Sequence, residues 1–369
     1  MPVLSSTRLP WTEPALRSYL HSLGYREIGE IRQRDLAARN EEEIKKFGYG
    51  RPVLLEFEAE GTPHRLVLHT LSGDAFGHDR PSDRAESLLL AHRTFNRLPR
   101  HVTSLDVGAL GQAGELISLG KSGEFFLLTE FASGQLYARD LERIRDSGHL
   151  EECDRKRARA LALYLAEIHG LKHRDPVIYQ RRIRDLVGHG EGIMGLADSY
   201  PPAFAPGPNL LKRLEHAAID WRWRLRDRTH RLSQVHGDFH PFNILFGTGD
   251  DFRLLDRSRG EWGEPADDVT ALSINYIFFS LQGTGRFEGP LRFLFELFWD
   301  AYLTASGDRE VLEAAPPFLA WRGLVVASPV WYPRIPDAVR GRLFRLIENV
   351  LADPHFDPAR ADRYLEVTA

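Results

Sequence analysis

His236-Gly237-Asp238-Phe239-His240-Pro241-Phe242-Asn243-Ile244-Leu245-Phe246 concentrates polar side chains in one turn, and Phe252-Arg253-Leu254-Leu255-Asp256 follows it shortly after. The second segment reads as an apolar strand that runs out at a carboxylate. A turn and a strand end thus supply three oxygen-bearing side chains, Asp238, Asn243 and Asp256. Carboxylate and amide oxygens are the ligands that a hard divalent cation prefers. A further carboxylate beside such a cation can orient a hydroxyl and accept its proton.

Asn243 follows Asp238 at the fifth position, as in the catalytic loop of kinases, where the aspartate faces the accepting hydroxyl and the asparagine binds metal. The HGDFHPFNILF string with its downstream LLD resembles the aminoglycoside phosphotransferase and choline kinase family, whose pattern is HGD, one residue, His, two residues, Asn. Phe125-Phe126-Leu127-Leu128-Thr129-Glu130-Phe131 is similar to that family's adenine-holding strand and hinge. Leu163-Tyr164-Leu165-Ala166-Glu167-Ile168-His169 is similar to its helix ending in histidine. Gly263-Glu264-Pro265-Ala266-Asp267-Asp268 is similar to its Gly-Asp-Pro segment, with Glu264 in the aspartate position.

The resemblance implies an α+β, two-lobed protein-kinase-like fold and transfer of the γ-phosphoryl group of ATP, or of GTP, with Mg2+, onto a hydroxyl of a small molecule. It assigns Asp238 to the acceptor and Asn243 and Asp256 to the metal. His236, His240 and Asp268 become structural residues of the site. Nucleotide contacts are expected from Gly48 and Gly50, whose turn can offer backbone N–H groups to phosphate, from Glu86 on a helix, and from Thr129, Glu130 and Phe131 at the hinge. His69 stands where the family has a lysine on its third strand. Either the imidazole contacts the nucleotide, or Lys45, Lys46 or Arg51 provides the cation, or the strand register differs.

Two rival functions share these residues. One is a Ser/Thr protein kinase of the same fold, against which stands Arg257-Ser258-Arg259-Gly260 after Asp256 in place of a Phe-Gly pair. The other is a nucleotide-binding regulator without turnover, which would have little need of Asp238.

Bulk properties fit the same picture. The 369 residues allow two lobes, and hydrophobic and charged shares of 43% and 27% are those of a folded globular protein. With 48 basic against 52 acidic side chains the net charge is -4, which disfavours nucleic acid as partner. One cysteine excludes an internal disulfide framework and fits a reducing compartment. No uncharged run is long enough for a bilayer, so a cytoplasmic protein without a membrane partner is expected.

Along the chain, Thr12 predicts a capped helix ending near Gly24. Strands are expected at 26–36, 53–58, 65–71, 104–109 and 125–130, with a helix opened by Pro81 and Ser82. Helices then dominate: 155–171, 210–228, 267–281, 290–305, 309–326 and 336–351. The expected lobes are 1–130, carrying a small antiparallel sheet and one main helix, and 131–369, mainly helical, with nucleotide in the cleft between them. The glycine-rich segment Gly188 to Asp198 reads as a loop that can shape an acceptor pocket, and Trp262, Tyr276, Phe278 and Phe279 as core or acceptor lining. Replacing His69 by alanine is expected to raise the Michaelis constant for nucleotide in a steady-state assay; an unchanged constant would exclude a phosphate contact.

Overall fold

The structure is a computed structural model that describes residues 10–36, 50–202, 204 and 207–367. It divides into two compact units, Met1–Thr129 and Glu130–Ala369. Among the described residues there are eleven α-helices and several small antiparallel sheets.

In the first unit, helix α1 (Glu13–Ser22) begins where the Thr12 hydroxyl accepts from the Ala15 N–H at 3.3 Å, a side-chain cap on an otherwise orphan donor. Strands β1 (Arg32–Asp35), β2 (Gly50–Ala59) and β3 (Thr62–Leu71) form an antiparallel sheet in that order. The β2–β3 hairpin closes through Glu60 and Gly61, both at positive φ (49° and 72°), the two-residue turn whose twist matches the strands. Val53, Leu55, Phe57 and Ala59 alternate onto one face and pack with Trp11, Leu16, Leu20, Ile28 and Ile31. Helix α2 (Pro81–Phe95) follows, with proline in its first turn.

Two expectations need correction here. The strand expected at 104–109 is instead the short β4 (Gly108–Leu110), paired with β5 (Leu116–Ser118). No strand forms over 125–130, and Phe126, Leu127 and Leu128 are exposed. Apolar composition favours extended backbone there, but a strand needs a neighbouring ladder for its N–H and C=O groups.

The second unit opens with β6 (Gln135–Leu136), α3 (Tyr137–Ser147), α4 (Glu152–Gly170), α5 (Pro176–Gly188), α6 (Ile193–Ser199) and α7 (Pro208–Leu225). Helix α6 lies within the segment expected to be a glycine-rich loop. Its Ile193 and Leu196 are buried, and that tertiary burial outweighs the local glycines. Next come β7 (Ser233–Gln234), β8 (Ile244–Phe246), β9 (Phe252–Leu254) and β10 (Trp262–Gly263), then α8 (Pro265–Thr284), α9 (Gly289–Ser306), α10 (Val311–Ala327) and α11 (Asp337–Ala352).

Helix α8 is buried on every side from Pro265 to Leu281, as expected of a central helix. It packs against α9 and α10, while α4 lies on α9 and α11 on α10. Tyr276, Phe278 and Phe279 therefore belong to the core, and the Tyr276 hydroxyl meets that of Tyr137 at 3.0 Å. No helix among the described residues is long and apolar enough to cross a membrane.

Phe298 of α9 has no exposed surface and contacts the Tyr276 ring at 6.2 Å between centroids. Phe298→Ala is expected to cost about 3–5 kcal/mol, read as a lower denaturant midpoint at unchanged slope.

Candidate functional site

Two antiparallel ladders bracket the polar loop. Strands β7 and β10 pair Gln234 with Trp262, and β8 and β9 pair Ile244 with Leu254. Residues 235–243 therefore run between the sheets on the outward path, and 255–261 run between them on the return. The Leu255 N–H donates to the Asn243 carbonyl at 2.9 Å. Asn243, just before β8, and Asp256, just after β9, consequently leave the same end of one hairpin.

Within the loop, Gly237 sits at φ 87°, a backbone conformation that favours glycine, and a Cβ there would press on Cβ of Arg259 at 3.3 Å. The Asp238 carbonyl accepts from His240 N–H at 2.9 Å and from Asn243 Nδ2 at 3.1 Å. His240 opens a single 3₁₀ turn, Pro241–Asn243, and its Nδ1 accepts from the Phe242 N–H at 3.2 Å. With Nδ2 turned inward, the Asn243 Oδ1 is the amide atom with no hydrogen-bond donor among the described residues. Asp256 is exposed at φ 52°, and its Oδ1 accepts from Ser258 N–H at 3.2 Å.

Asp268 holds this loop from below. Its two carboxylate oxygens each accept a backbone N–H at 2.7 Å, one from His236 and one from Gly237. His169, at the end of α4, lies 3.2 Å from the same carboxylate through Nε2 and 2.9 Å from the Tyr302 hydroxyl through Nδ1. Burial pushes the Asp268 carboxyl up, but His169, His236 and these N–H groups together hold it below the usual range. Glu264 caps α8 by accepting from Ala266 N–H at 3.3 Å, and it receives Arg231 and the Tyr179 hydroxyl.

Asp238 is the most strongly perturbed acid of the loop. Its Oδ1 receives Arg322 at 2.7 Å and Arg259 at 2.8 Å, and its Oδ2 lies 3.5 Å from His240 Nε2. Burial raises its pKa, yet His240, Arg322 and Arg259 outweigh that and hold it far below the ordinary carboxylate value. Arg322 also binds Asp267 at 2.6 Å, and Arg182 reaches Asp267 at 3.2 Å. Burial pushes the His236 imidazole down. His236 and Asp256 also line a hollow of about 230 Å³ with Tyr164, Ile168 and Arg257.

Asp238, Asn243, Asp256, His236, His240 and Asp268 are thus gathered around one loop. The arginines were not anticipated. Arg322 lies inside α10, and the only sequence sign of it is a lone charge in the apolar run Phe318 to Val326. In the first unit, His69 is exposed on β3 opposite Pro52, on the face turned away from Leu66 and Leu68. Glu86 is exposed on α2 and makes no ion pair with His69 among the described residues. Gly50 begins β2, whereas Gly48 lies outside the described residues, as do Lys45 and Lys46. Thr129, Glu130 and Phe131 are exposed in a segment without strand structure.

Among the described residues no group of three or more His, Cys, Asp or Glu could hold a metal ion. A site of one carboxylate and one amide oxygen, Asp256 and Asn243, still fits magnesium, which keeps waters and relies on substrate phosphates for its remaining ligands.

A family model described as phosphotransferase enzyme family (APH) matches residues 65–287. No curated protein matches the chain. Among solved structures, a glucosamine kinase is 20% identical with a TM-score of 0.36 over 55% of this chain and 55% of that one, so the match spans about half of that relative. An amicoumacin kinase in complex with AMP-PNP and Ca2+ is 15% identical, with a TM-score of 0.42 over 95% and 97% of the two chains. A choline kinase from Cryptosporidium parvum Iowa II is 11% identical, with a TM-score of 0.30 over 91% and 86%.

Because the folded-state pKa values of Asp238 and Asp268 are depressed, each contributes stability that is full above the unfolded aspartate value of about 3.9 and lost as pH falls through the folded value. Asp268→Asn is expected to lose about 1.5–3 kcal/mol at neutral pH. Its deficit relative to the wild-type protein should shrink as pH is lowered, which acid titration of denaturant midpoints would reveal.

Proposed function

The chain belongs to the phosphotransferase enzyme family, and from that premise we propose that it transfers the γ-phosphoryl group of ATP or GTP to a hydroxyl of a small molecule with Mg2+. The observation that supports this reading is that Asn243 and Asp256 leave the same end of the β8–β9 hairpin, with Asn243 Nδ2 bonded to the Asp238 carbonyl. The acceptor oxygen forms a bond to the γ-phosphorus, and the bond from that phosphorus to the β–γ bridging oxygen breaks. The nucleoside diphosphate leaves with the electron pair.

Asp238 receives the acceptor hydroxyl. Its Oδ1 already carries two guanidinium groups, so Oδ2 is the atom that accepts the hydroxyl hydrogen. A carboxylate held this acidic is a weak base, and it takes the proton only as the new bond forms; its chief work is orientation. Asn243 Oδ1 and Asp256 would hold Mg2+, which when bound neutralises phosphate charge. His240 braces the loop from its turn, while Asp268 keeps the His236 and Gly237 N–H groups in register. Gly48, Gly50, His69, Glu86, Thr129, Glu130 and Phe131 remain the proposed nucleotide contacts.

Asp238→Asn is expected to lower kcat by about 10²–10⁴-fold with nucleotide affinity retained, whereas Asp256→Ala should abolish the magnesium dependence of nucleotide binding measured by calorimetry. Full turnover by the Asp238 variant would remove the assignment.

A further inference from the structure

Resting on the phosphotransfer reading above, we propose that the acceptor is an anion, a hydroxyl compound that also carries a carboxylate or phosphate, received by Arg259 beside Asp238. Three arginines of the second unit meet at this place, and the terminal nitrogens of two are tied to buried carboxylate and backbone oxygens. Arg322 spans Asp238 and Asp267 at 2.7 and 2.6 Å and donates to the Gly237 carbonyl at 3.1 Å. Arg182 binds Asp267 at 3.2 Å and the Arg259 carbonyl at 2.9 Å.

Arg259 also donates to the Gly237 carbonyl, at 3.3 Å, but it is held more openly. Its side chain is 21% exposed, and besides Asp238 its carboxylate partner is Glu191, 3.1 Å away through Nε and itself 62% exposed. An ion pair so open to water adds about 0–1 kcal/mol, so another oxyanion can replace it with little loss. The Glu191 carboxylate stands in for the acceptor's own anionic group. Its backbone need not move: the Glu191 carbonyl is anchored by the Trp321 indole N–H at 2.7 Å. The same indole lies 5.0 Å from the Arg259 guanidinium and 4.0 Å from that of Arg322, which orients both forks.

The arrangement also rejects cations. An ammonium group beside Asp238 would face Arg259 and Arg322, while Asp238 and Asp267 are already engaged by arginine. Like charge at this range excludes as effectively as a fitting contact attracts. A guanidinium fork, by contrast, matches carboxylate or phosphate oxygens in pairs.

The test uses the full chain with γ-labelled ATP, Mg2+ and a small-metabolite extract separated by ion exchange at neutral pH into anionic, neutral and cationic fractions. Labelled product is expected from the anionic fraction, and phosphatase pretreatment of that fraction distinguishes a phosphate, whose product is lost, from a carboxylate, whose product persists. With the purified acceptor, Arg259→Gln should raise KM about 10- to 100-fold, and Arg259→Lys should recover part of this. Glu191→Gln, at an exposed side chain that leaves folding intact, should lower KM. Product from the neutral or cationic fraction alone overturns the anionic acceptor while leaving phosphotransfer standing. Absence of product from all three overturns phosphotransfer and the acceptor class together. Unchanged KM in both the Arg259→Gln and Glu191→Gln proteins overturns the role of this pair.

Discussion

The buried carboxylate of Asp268 is the constraint on which the geometry of the site depends. An anion removed from water is costly unless its oxygens are satisfied, and here they are met by two consecutive backbone N–H groups and by His169. The N–H groups of His236 and Gly237 can point at one carboxylate because Gly237 adopts a left-handed conformation. From that point the chain reverses, turns once at Pro241–Asn243 and enters β8. Displacement of Asp268 would release the His236 and Gly237 N–H groups from which the loop starts.

Asp268 is in turn placed by helix α8, which is buried on every side from Pro265 to Leu281. Helix α8 begins at the Glu264 cap, which is locked by Arg231 and Tyr179, and it is enclosed along its length by the helical core. Its adjacent aspartates serve different neighbours. Asp268 faces loop backbone, and Asp267 faces the guanidinium groups of Arg182 and Arg322. Through Arg322 the second network reaches Asp238, so backbone shape and side-chain charge are both set from one turn of α8. In the proposed reaction this division keeps Asp238 ionised and aimed, at the expense of its basicity, an exchange that suits a transfer in which positioning matters more than early deprotonation.

Much of this was legible in the residues themselves. The loop motif, the strand that runs out shortly before Asp256, the hairpin at Gly61 and most of the long helices follow from local chemistry: glycine at positive φ, proline in first turns, apolar residues at periods of two or near four. Helix ends differ from expectation by a few residues, as at α4, expected from 155 and found from Glu152, where an acidic cap box extends the first turn. The segment 125–130 shows the limit in the other direction, because its apolar composition could not supply the partner strand that a ladder requires.

The sequence by itself determined the family and the identity of the oxygen-bearing residues, because spacing within one loop and across one hairpin is short-range information carried by backbone geometry. Only the tertiary structure decided what surrounds Asp238. Arg322 comes from α10 and Arg259 from the return path after β9, and their meeting depends on how α8 and α10 pack, an outcome of side-chain volumes spread over the whole second unit. No pattern along the chain encodes a contact of that kind, since burial pairs charges by proximity in space and not by distance in sequence.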